Sequence, residues 1–355
     1  MHSYLVTHIS YVQGEWIMKV GILGATGSIG QRLIQMLEHH PEFEVAQLFG
    51  KKSVGKKYGD INWILKGNIP HYVEDSRICS TSEISPEVEL VFSALPSPVA
   101  ESIEIELAHK GKIVVSNASA HRMEEDVPLL IPEVNPGHLG LLQVQKETRK
   151  WKGALITNPN CSTIMLTMVL KPLLDVYGIE QVIAVTLQAV SGAGYPGLPS
   201  LDILGNVIPH IRGEEEKLVK ETAKILGTYR GGRILPSQIE TSVTCNRVPT
   251  IDGHLINGFV KTVLDVEVEE VLETFQNFSG LPQRLNLPTA PERPIRVTRK
   301  ADRPQTRLDL DPMAIVVGRV RKINTMLAFT ILGHNTIRGA AGASILNAEL
   351  FEAVL

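Results

Sequence analysis

Apolar positions along the chain change their spacing as the sequence proceeds. Between residues 18 and 157, short continuous apolar runs alternate with amphipathic stretches. The runs are Lys19-Val20-Gly21-Ile22-Leu23, Phe43 to Leu48, Glu89 to Leu95 and Lys112 to Ser116. Runs of that length bounded by Gly, Pro or Ser read as strands buried on both faces, and the stretches Gln31 to His40 and Val99 to Lys110 read as helices. This alternation predicts an α/β fold, a Rossmann-type doubly wound parallel sheet. From Gln181 the pattern becomes β-rich, with strands expected at Val182 to Val190, Ser242 to Val248, Gly258 to Leu264, Ile295 to Arg299 and Ala314 to Lys322. It predicts a second, α+β domain with a mainly antiparallel sheet. A last helical pattern, Asn335 to Val354, is expected to pack back on the first domain. The division is therefore a first domain over 18–157, completed by the C-terminal helix 335–355, and a second over 158–334. Residues 1–17 form an N-terminal extension without the pattern of a signal peptide, and Met18, just before the first strand, is a second candidate start.

Gly24-Ala25-Thr26-Gly27-Ser28-Ile29-Gly30 stands between the first strand and the first helix. Strand, glycine loop, helix is the order of a dinucleotide-binding unit, in which glycines serve the turn, the approach of a pyrophosphate and close helix packing. A plain βα turn is the alternative. After the second strand, where an NAD site places an acidic residue, come Phe49-Gly50-Lys51-Lys52-Ser53. Cations and a hydroxyl there suit a 2′-phosphate, hence NADP. The strand ending in Ser93, Leu95 and Pro96 puts its carboxyl end over such a cofactor, and Arg122 follows the next strand as a candidate anion ligand.

Thr157-Asn158-Pro159-Asn160-Cys161-Ser162-Thr163 precedes the apolar run Ile164 to Leu170. Pro159 and Asn160 end what comes before, so Cys161 is expected at a helix N-terminus. The dipole and free N–H groups there favour a thiolate, and those groups with the Asn160 amide are expected to hold an oxyanion. A cysteine nucleophile needs a base and a substrate anchor. Arg247 ends a strand, and the turn Pro249 to Gly253 returns His254 towards it; a surface histidine is the competing reading. Gln188 to Gly197 ends another strand in a glycine-rich loop that lets backbone approach a ligand. Gly213-Glu214-Glu215-Glu216-Lys217 opens a helix whose dipole already accounts for acidic residues in its first turn.

The 355 residues suffice for two cores, and a charged fraction of 21% with net charge −3 favours neither nucleic acid nor an anionic membrane surface. Cys79, Cys161 and Cys245 form no disulfide framework and no metal-ligand spacing, which fits a reducing compartment. No run of about 18 uncharged apolar residues suggests a transmembrane helix.

The glycine loop, Asn158 to Thr163, Ser191 to Tyr195, Gly213 to Lys217, Arg247-Val248-Pro249 with Asp252-Gly253-His254, and His334 to Gly342 occur in an order that resembles aspartate-β-semialdehyde dehydrogenase, in its archaeal and fungal branch, over residues 18 to 355. The resemblance implies reversible NADP-dependent reductive dephosphorylation of L-4-aspartyl phosphate to L-aspartate 4-semialdehyde, in biosynthesis of lysine, threonine and methionine. It implies Cys161 as nucleophile, His254 as acid and base, and Gln188 beside the nucleophile, orienting the acyl group. Arg247 would hold the substrate carboxylate, Glu214 its amino group, and Lys217 with Arg122 the phosphate. NADP would be contacted by Thr26 to Ile29, Lys52, Ser53, Ser93, Leu95, Pro96, Ser191, Gly192 and Asn335. A cytoplasmic homodimer or homotetramer is implied, joined through the second-domain sheet. Leu255 stands where the family pattern has threonine, and Lys52 where it has arginine. A malonyl-CoA reductase of the same fold is the main alternative; a non-catalytic NADP sensor would have no use for the thiol.

Overall fold

The computed structural model describes residues 17–355, so the extension expected over 1–17 lies, except for Ile17, outside the described residues. The first sheet has six strands: β1 (Met18–Leu23), β2 (Phe43–Phe49), β3 (Ile78–Cys79), β4 (Leu90–Ser93), β5 (Ile113–Ser116) and β6 (Ala154–Thr157). All its pairings are parallel, in the order β3-β2-β1-β4-β5-β6. The chain enters at the centre, builds outward to one edge and then returns to build the other. This opens a crevice at the carboxyl ends of β1 and β4, the usual ligand position in such sheets. Helices Ser28–Leu37, Ser97–His109 and Leu141–Arg149 flank the sheet. Val20, Ile22, Leu90 and Phe92 are completely buried, as strands covered on both faces require. The C-terminal helix Gly342–Val354 joins this core through Ile345 and Ala348, and His40 Nε2 lies 2.8 Å from Glu349 Oε1.

The second sheet contains β7 (Ile179–Gln188), β10 (Glu240–Arg247), β11 (His254–Thr262), β12 (Ile295–Thr298), β13 (Ile315–Ile323) and β14 (Met326–Gly333), in the order β10-β7-β11-β14-β13-β12. Its interior pairings are antiparallel and its two outermost parallel. The short hairpin of β8 (Thr228–Arg230) and β9 (Arg233–Leu235) stands apart. The helix Cys161–Tyr177 fills the core of this half, burying Ile164, Met165, Leu166, Met168, Val169 and Leu170 against Val182, Ala184, Ile256 and Ile331. An apolar run of that kind predicts burial all round the helix, which is what occurs.

Three expectations need correction. β14, which had no counterpart in the sequence reading, is a central strand buried at nearly every position, so it shows no alternation. β11 starts at His254 and not Gly258, because the Gly253 turn delivers the chain straight into pairing with Gly333. The last helix starts at Gly342; before it, Ile337–Ala341 form a wider π-type turn, and Asn335 lies in the preceding loop.

Candidate active site

The strand directions of the second sheet bring its site residues to one end. Gln188 and Arg247 are the last residues of β7 and β10, which are parallel and pair at that position. His254 is the first residue of antiparallel β11, opposite Gly333 at the end of β14. Cys161, the first residue of the core helix, approaches the same end: a Cβ placed on Gly339 would lie 2.5 Å from Cys161 Cβ, so only glycine permits this close packing. A Cβ on Gly192 would lie 2.7 Å from Arg247 Nη1 and 3.2 Å from His254 Nε2. The guanidinium and the imidazole edge therefore meet beneath the loop that follows β7.

Asn160 caps the core helix. Its Oδ1 accepts from the N–H groups of Ser162 at 2.9 Å and Thr163 at 3.3 Å, and its Nδ2 donates to Glu214 Oε1 at 2.7 Å. The Oδ1 end is thus engaged by the helix, while Nδ2 gives one of its two hydrogens to Glu214 and keeps the other. Its backbone N–H donates to Glu221 Oε2 at 2.7 Å, and Glu221 Oε1 accepts from Arg122 Nη1 at 2.9 Å. Arg122 is buried, and its Nη2 donates to the Asn117 carbonyl at 2.8 Å. The expected phosphate ligand is therefore already held on two sides, with its Nε buried and without a partner among the described residues. Lys224 fixes the adjoining loop by donating to the carbonyls of Arg122, Glu124 and Val127 at 2.7 to 2.8 Å. Glu221 and Lys224 were missed from the sequence; their spacing along the helix Glu214–Ile225 carries no sign of partners about a hundred residues away.

Cys161 is only partly buried by area, yet the atoms crowded round it desolvate the thiol and push its pKa up to about 12. The Glu214 carboxylate raises it further, while Arg122, the Ser162 N–H and Arg247 pull the other way. Burial thus opposes the thiolate that the helix N-terminus was expected to favour. Glu214 is buried at the first position of its helix, with Lys217 Nζ 3.9 Å from Oε2. Arg247 is buried and donates from Nη1 to the Ala189 carbonyl at 2.8 Å. His254 is completely buried; desolvation first, then Arg247 and His334, hold its pKa down to about 3. Gln188 is buried, with Nε2 3.3 Å from Thr186 Oγ1.

The glycine loop sits at the carboxyl end of β1. A Cβ on Gly30 would lie 2.2 Å from the Gly24 carbonyl, so the first helix packs on the loop only with glycine there. Tyr58 Oη donates to the Ala25 carbonyl at 2.8 Å, and Gln31 binds the carbonyls of Thr26 and Asn62. A cleft of about 620 Å³ separates this loop from the second half, lined by Ser28 and Arg32 on one side and Ser191, Tyr195 and His334 on the other. Ser93 is buried, Leu95 is half-buried, and Pro96 and Lys52 are exposed, with Ser53 half-buried beside Lys52. Asn335, expected to contact NADP, is buried; its amide accepts from the Gly253 N–H and donates to Ser191 Oγ, bracing two loops.

Residues 19–141 match the family pattern described as semialdehyde dehydrogenase, NAD binding domain, and residues 170–338 that of the dimerisation domain. An aspartate-semialdehyde dehydrogenase of Methanothermobacter thermautotrophicus is 49% identical over 96% of this chain and 100% of its own length. A malonyl CoA reductase (NADP) of Metallosphaera sedula is 40% identical over 94% of this chain. The crystal structure of aspartate semialdehyde dehydrogenase with NADP from Candida albicans superposes with a TM-score of 0.88 at 39% identity, covering 95% of this chain and 99% of that one. A thiol, a histidine and an arginine gathered at one end of a mixed sheet, facing a parallel sheet with a glycine loop, accompany full-length likeness on both halves: the chain belongs to the aspartate-semialdehyde dehydrogenase family, in its archaeal and fungal branch.

Proposed function

We propose that the protein catalyses the reversible NADP-dependent reductive dephosphorylation of L-4-aspartyl phosphate to L-aspartate 4-semialdehyde through a thioester on Cys161. The observation that carries this is the charge set round the thiol. Glu214 is hydrogen-bonded to Asn160, the residue before Cys161; Arg122 is joined to the Asn160 N–H through Glu221; and Arg247 ends β10 at the same end of the sheet, beside His254. A zwitterionic α-amino acid with a second anionic group asks for that combination: Arg247 for the α-carboxylate, Glu214 for the ammonium, Arg122 and Lys217 for phosphate. Malonyl-CoA has no ammonium to pair with Glu214, and the malonyl CoA reductase relative is less similar, 40% identical against 49% and 50% for the archaeal aspartate-semialdehyde dehydrogenases.

The glycine cradle fits a dinucleotide. Thr26 to Ile29 would hold its pyrophosphate, Lys52 and Ser53 the 2′-phosphate, Ser93, Leu95 and Pro96 the span above β4, and Ser191 with Gly192 the nicotinamide end. NADPH, when bound, supplies the reducing equivalent that converts the acyl group to aldehyde. Cys161 attacks and carries the acyl group, Gln188 orients it, and Arg247 and Glu214 fix the substrate against the thiol. Residues 18–157 with 335–355 form the cofactor half, and 158–334 the catalytic half.

The outer face of the second sheet presents Ile183, Val185, Leu187, Leu255 and Phe259, adjacent in register and partly exposed. It is the surface on which two copies meet as a homodimer, or as a homotetramer built from such dimers. No described helix is long and apolar enough to cross a membrane, and the cytoplasm is the compartment that suits three free thiols.

The test is a comparison of phosphate-dependent NADPH formation from aspartate semialdehyde with CoA-dependent formation from malonate semialdehyde. The first should be the larger, and Cys161→Ala should abolish it while NADPH binding persists. A larger CoA-dependent rate would overturn the reading.

A further inference from the structure

Glu104 is a carboxyl on an apolar helix face. The helix Ser97–His109 buries Ala100, Leu107 and Ala108, and Glu104 lies in the same row, completely buried. Its Oε1 accepts from Ser116 Oγ at 2.7 Å, and that hydroxyl accepts from the Ala118 N–H at 3.1 Å, so the carboxyl holds the chain where it leaves β5. Its Oε2 lies 3.9 Å from His121 Nε2, farther along the same loop. Neither of these two atoms has a hydrogen-bond partner among the described residues. The buried His121 ring meets Glu124 Oε1 through Nδ1 at 2.5 Å; the other Glu124 oxygen pairs with Arg149, and Arg149 with Asp126. We propose that Glu104 and His121 are positioning residues, which together seat the loop after β5 from inside the first domain and so set where the Arg122 guanidinium stands for the anion it meets. This inference rests on the acyl-phosphate reading given above.

Neighbouring side chains in this turn go opposite ways. His121 enters the first domain towards Glu104, while Arg122 reaches across to Glu221 and back to the Asn117 carbonyl. From the second half, Lys224 holds the carbonyls of Arg122, Glu124 and Val127. From the first half, the tie next to Arg122 is the His121 ring. A ring that moves carries the Arg122 backbone with it.

Stability alone does not account for this pair. Burial pushes the Glu104 carboxyl above its usual range, and the Ser93 and Ser116 hydroxyls, then His121 and Arg122, draw it back. A leucine there would continue the apolar face without that desolvation, and buried ionic pairs replaced by apolar side chains of like size are often as stable or more so. What a carboxyl and an imidazole add is direction, because polar contacts in a core select one arrangement where apolar packing admits several.

The test measures KM for phosphate and for NADP during NADPH formation from aspartate semialdehyde. Glu104→Leu removes one partner. His121→Asn keeps a polar atom near Nδ1 for Glu124 and empties the Nε2 side, whereas His121→Gln keeps a polar atom on the Nε2 side, towards Glu104. Glu104→Leu and His121→Asn should each raise KM for phosphate by at least about tenfold, since misplacement of about 1 Å can cost about 10²-fold, with KM for NADP unchanged. The two combined should lose no more than the worse single variant, as expected of side chains acting through one contact. His121→Gln should be the milder of the histidine variants. An unchanged KM for phosphate in the folded variants, a parallel rise for phosphate and NADP, or equal losses in His121→Asn and His121→Gln would each overturn the proposal. Should Glu104→Leu fail to fold, the comparison of the two histidine variants decides. Failure of the acyl-phosphate reading would appear as a parent protein without phosphate-dependent activity. Crystal structures of the parent and His121→Asn then carry the test: the Arg122 guanidinium is expected to leave Glu221 in the variant, and an unmoved guanidinium would overturn the proposal.

Discussion

At the scale of single residues, Asn160 shows how much the sequence displays and where it stops. Its place before an apolar helix marks it as a cap, and it caps. Its other half, expected to donate to an oxyanion, also donates to Glu214, a partner 54 positions away that is invisible from its neighbours. Cys161, Arg247 and His254 were legible because turn-forming residues place each at the end of an element, where a side chain faces a ligand. Their protonation states were not legible, since burial is a property of the assembled site. The residue that ties this site together is Glu221, which takes the Asn160 N–H on one oxygen and Arg122 on the other. Glu221→Gln keeps the shape but leaves the buried Arg122 without its counter-charge. The guanidinium should shift, and misplacement by about 1 Å costs about 10²-fold, so kcat/KM for phosphate should fall by that order while KM for NADP holds. Equal losses for both ligands would show a general loosening, and Arg122 would then have no special part in holding phosphate.

Among the elements, strands with clear bounding turns were found, and the central β14 was not, because only Asn324 and Thr325 separate it from β13 and no Gly or Pro marks the break. The widened turn Ile337–Ala341 is equally hidden, yet it carries Gly339 against Cys161. What anchors the turn is Arg338, fully buried, which donates to both oxygens of Glu133 at 2.9 and 2.8 Å and lies 3.1 Å from Met168 Sδ in the core helix. Planar, two-point pairing fixes orientation as well as position. Removing one partner strands a buried charge, at a cost of about 3–5 kcal/mol, so Glu133→Ala should lower the urea midpoint accordingly with the slope unchanged. The paired replacement Glu133→Leu with Arg338→Met should recover most of that loss. If the single variant were as stable as the parent, the turn would owe its place to apolar packing alone.

For the whole molecule, the decisive feature is the seam between the two halves, and the domain pattern in the sequence announces the halves without announcing the seam. It is closed by polar contacts from residues 121–140 to residues 221–229: Lys224 on three carbonyls, Tyr229 Oη donating to the Gly140 carbonyl at 3.1 Å, and His138 Nε2 donating to the Gly227 carbonyl at 3.0 Å. His138 Nδ1 meanwhile accepts from Asn135 Nδ2 at 2.9 Å. Both ring nitrogens are satisfied in the neutral form, and desolvation, partly offset by the Gly227 carbonyl and reinforced by Lys224, takes the pKa from 6.5 to about 4. In the unfolded chain the ring binds its proton first as pH falls, so the unfolded state holds more protons between those values and stability decreases with acidification. The stabilisation is fully present above about pH 6.5 and lost as pH falls through about 4. His254, shifted the same way, adds to the slope but is common to parent and variant. His138→Gln removes one titrating ring from the seam. Its urea-unfolding free energy should therefore fall less steeply than the parent's between pH 6.5 and 4.5, by up to about 1.4 kcal/mol per pH unit. Parallel curves would mean that His138 protonates as readily in the folded protein as in the unfolded one, and that the seam tolerates a charged imidazole.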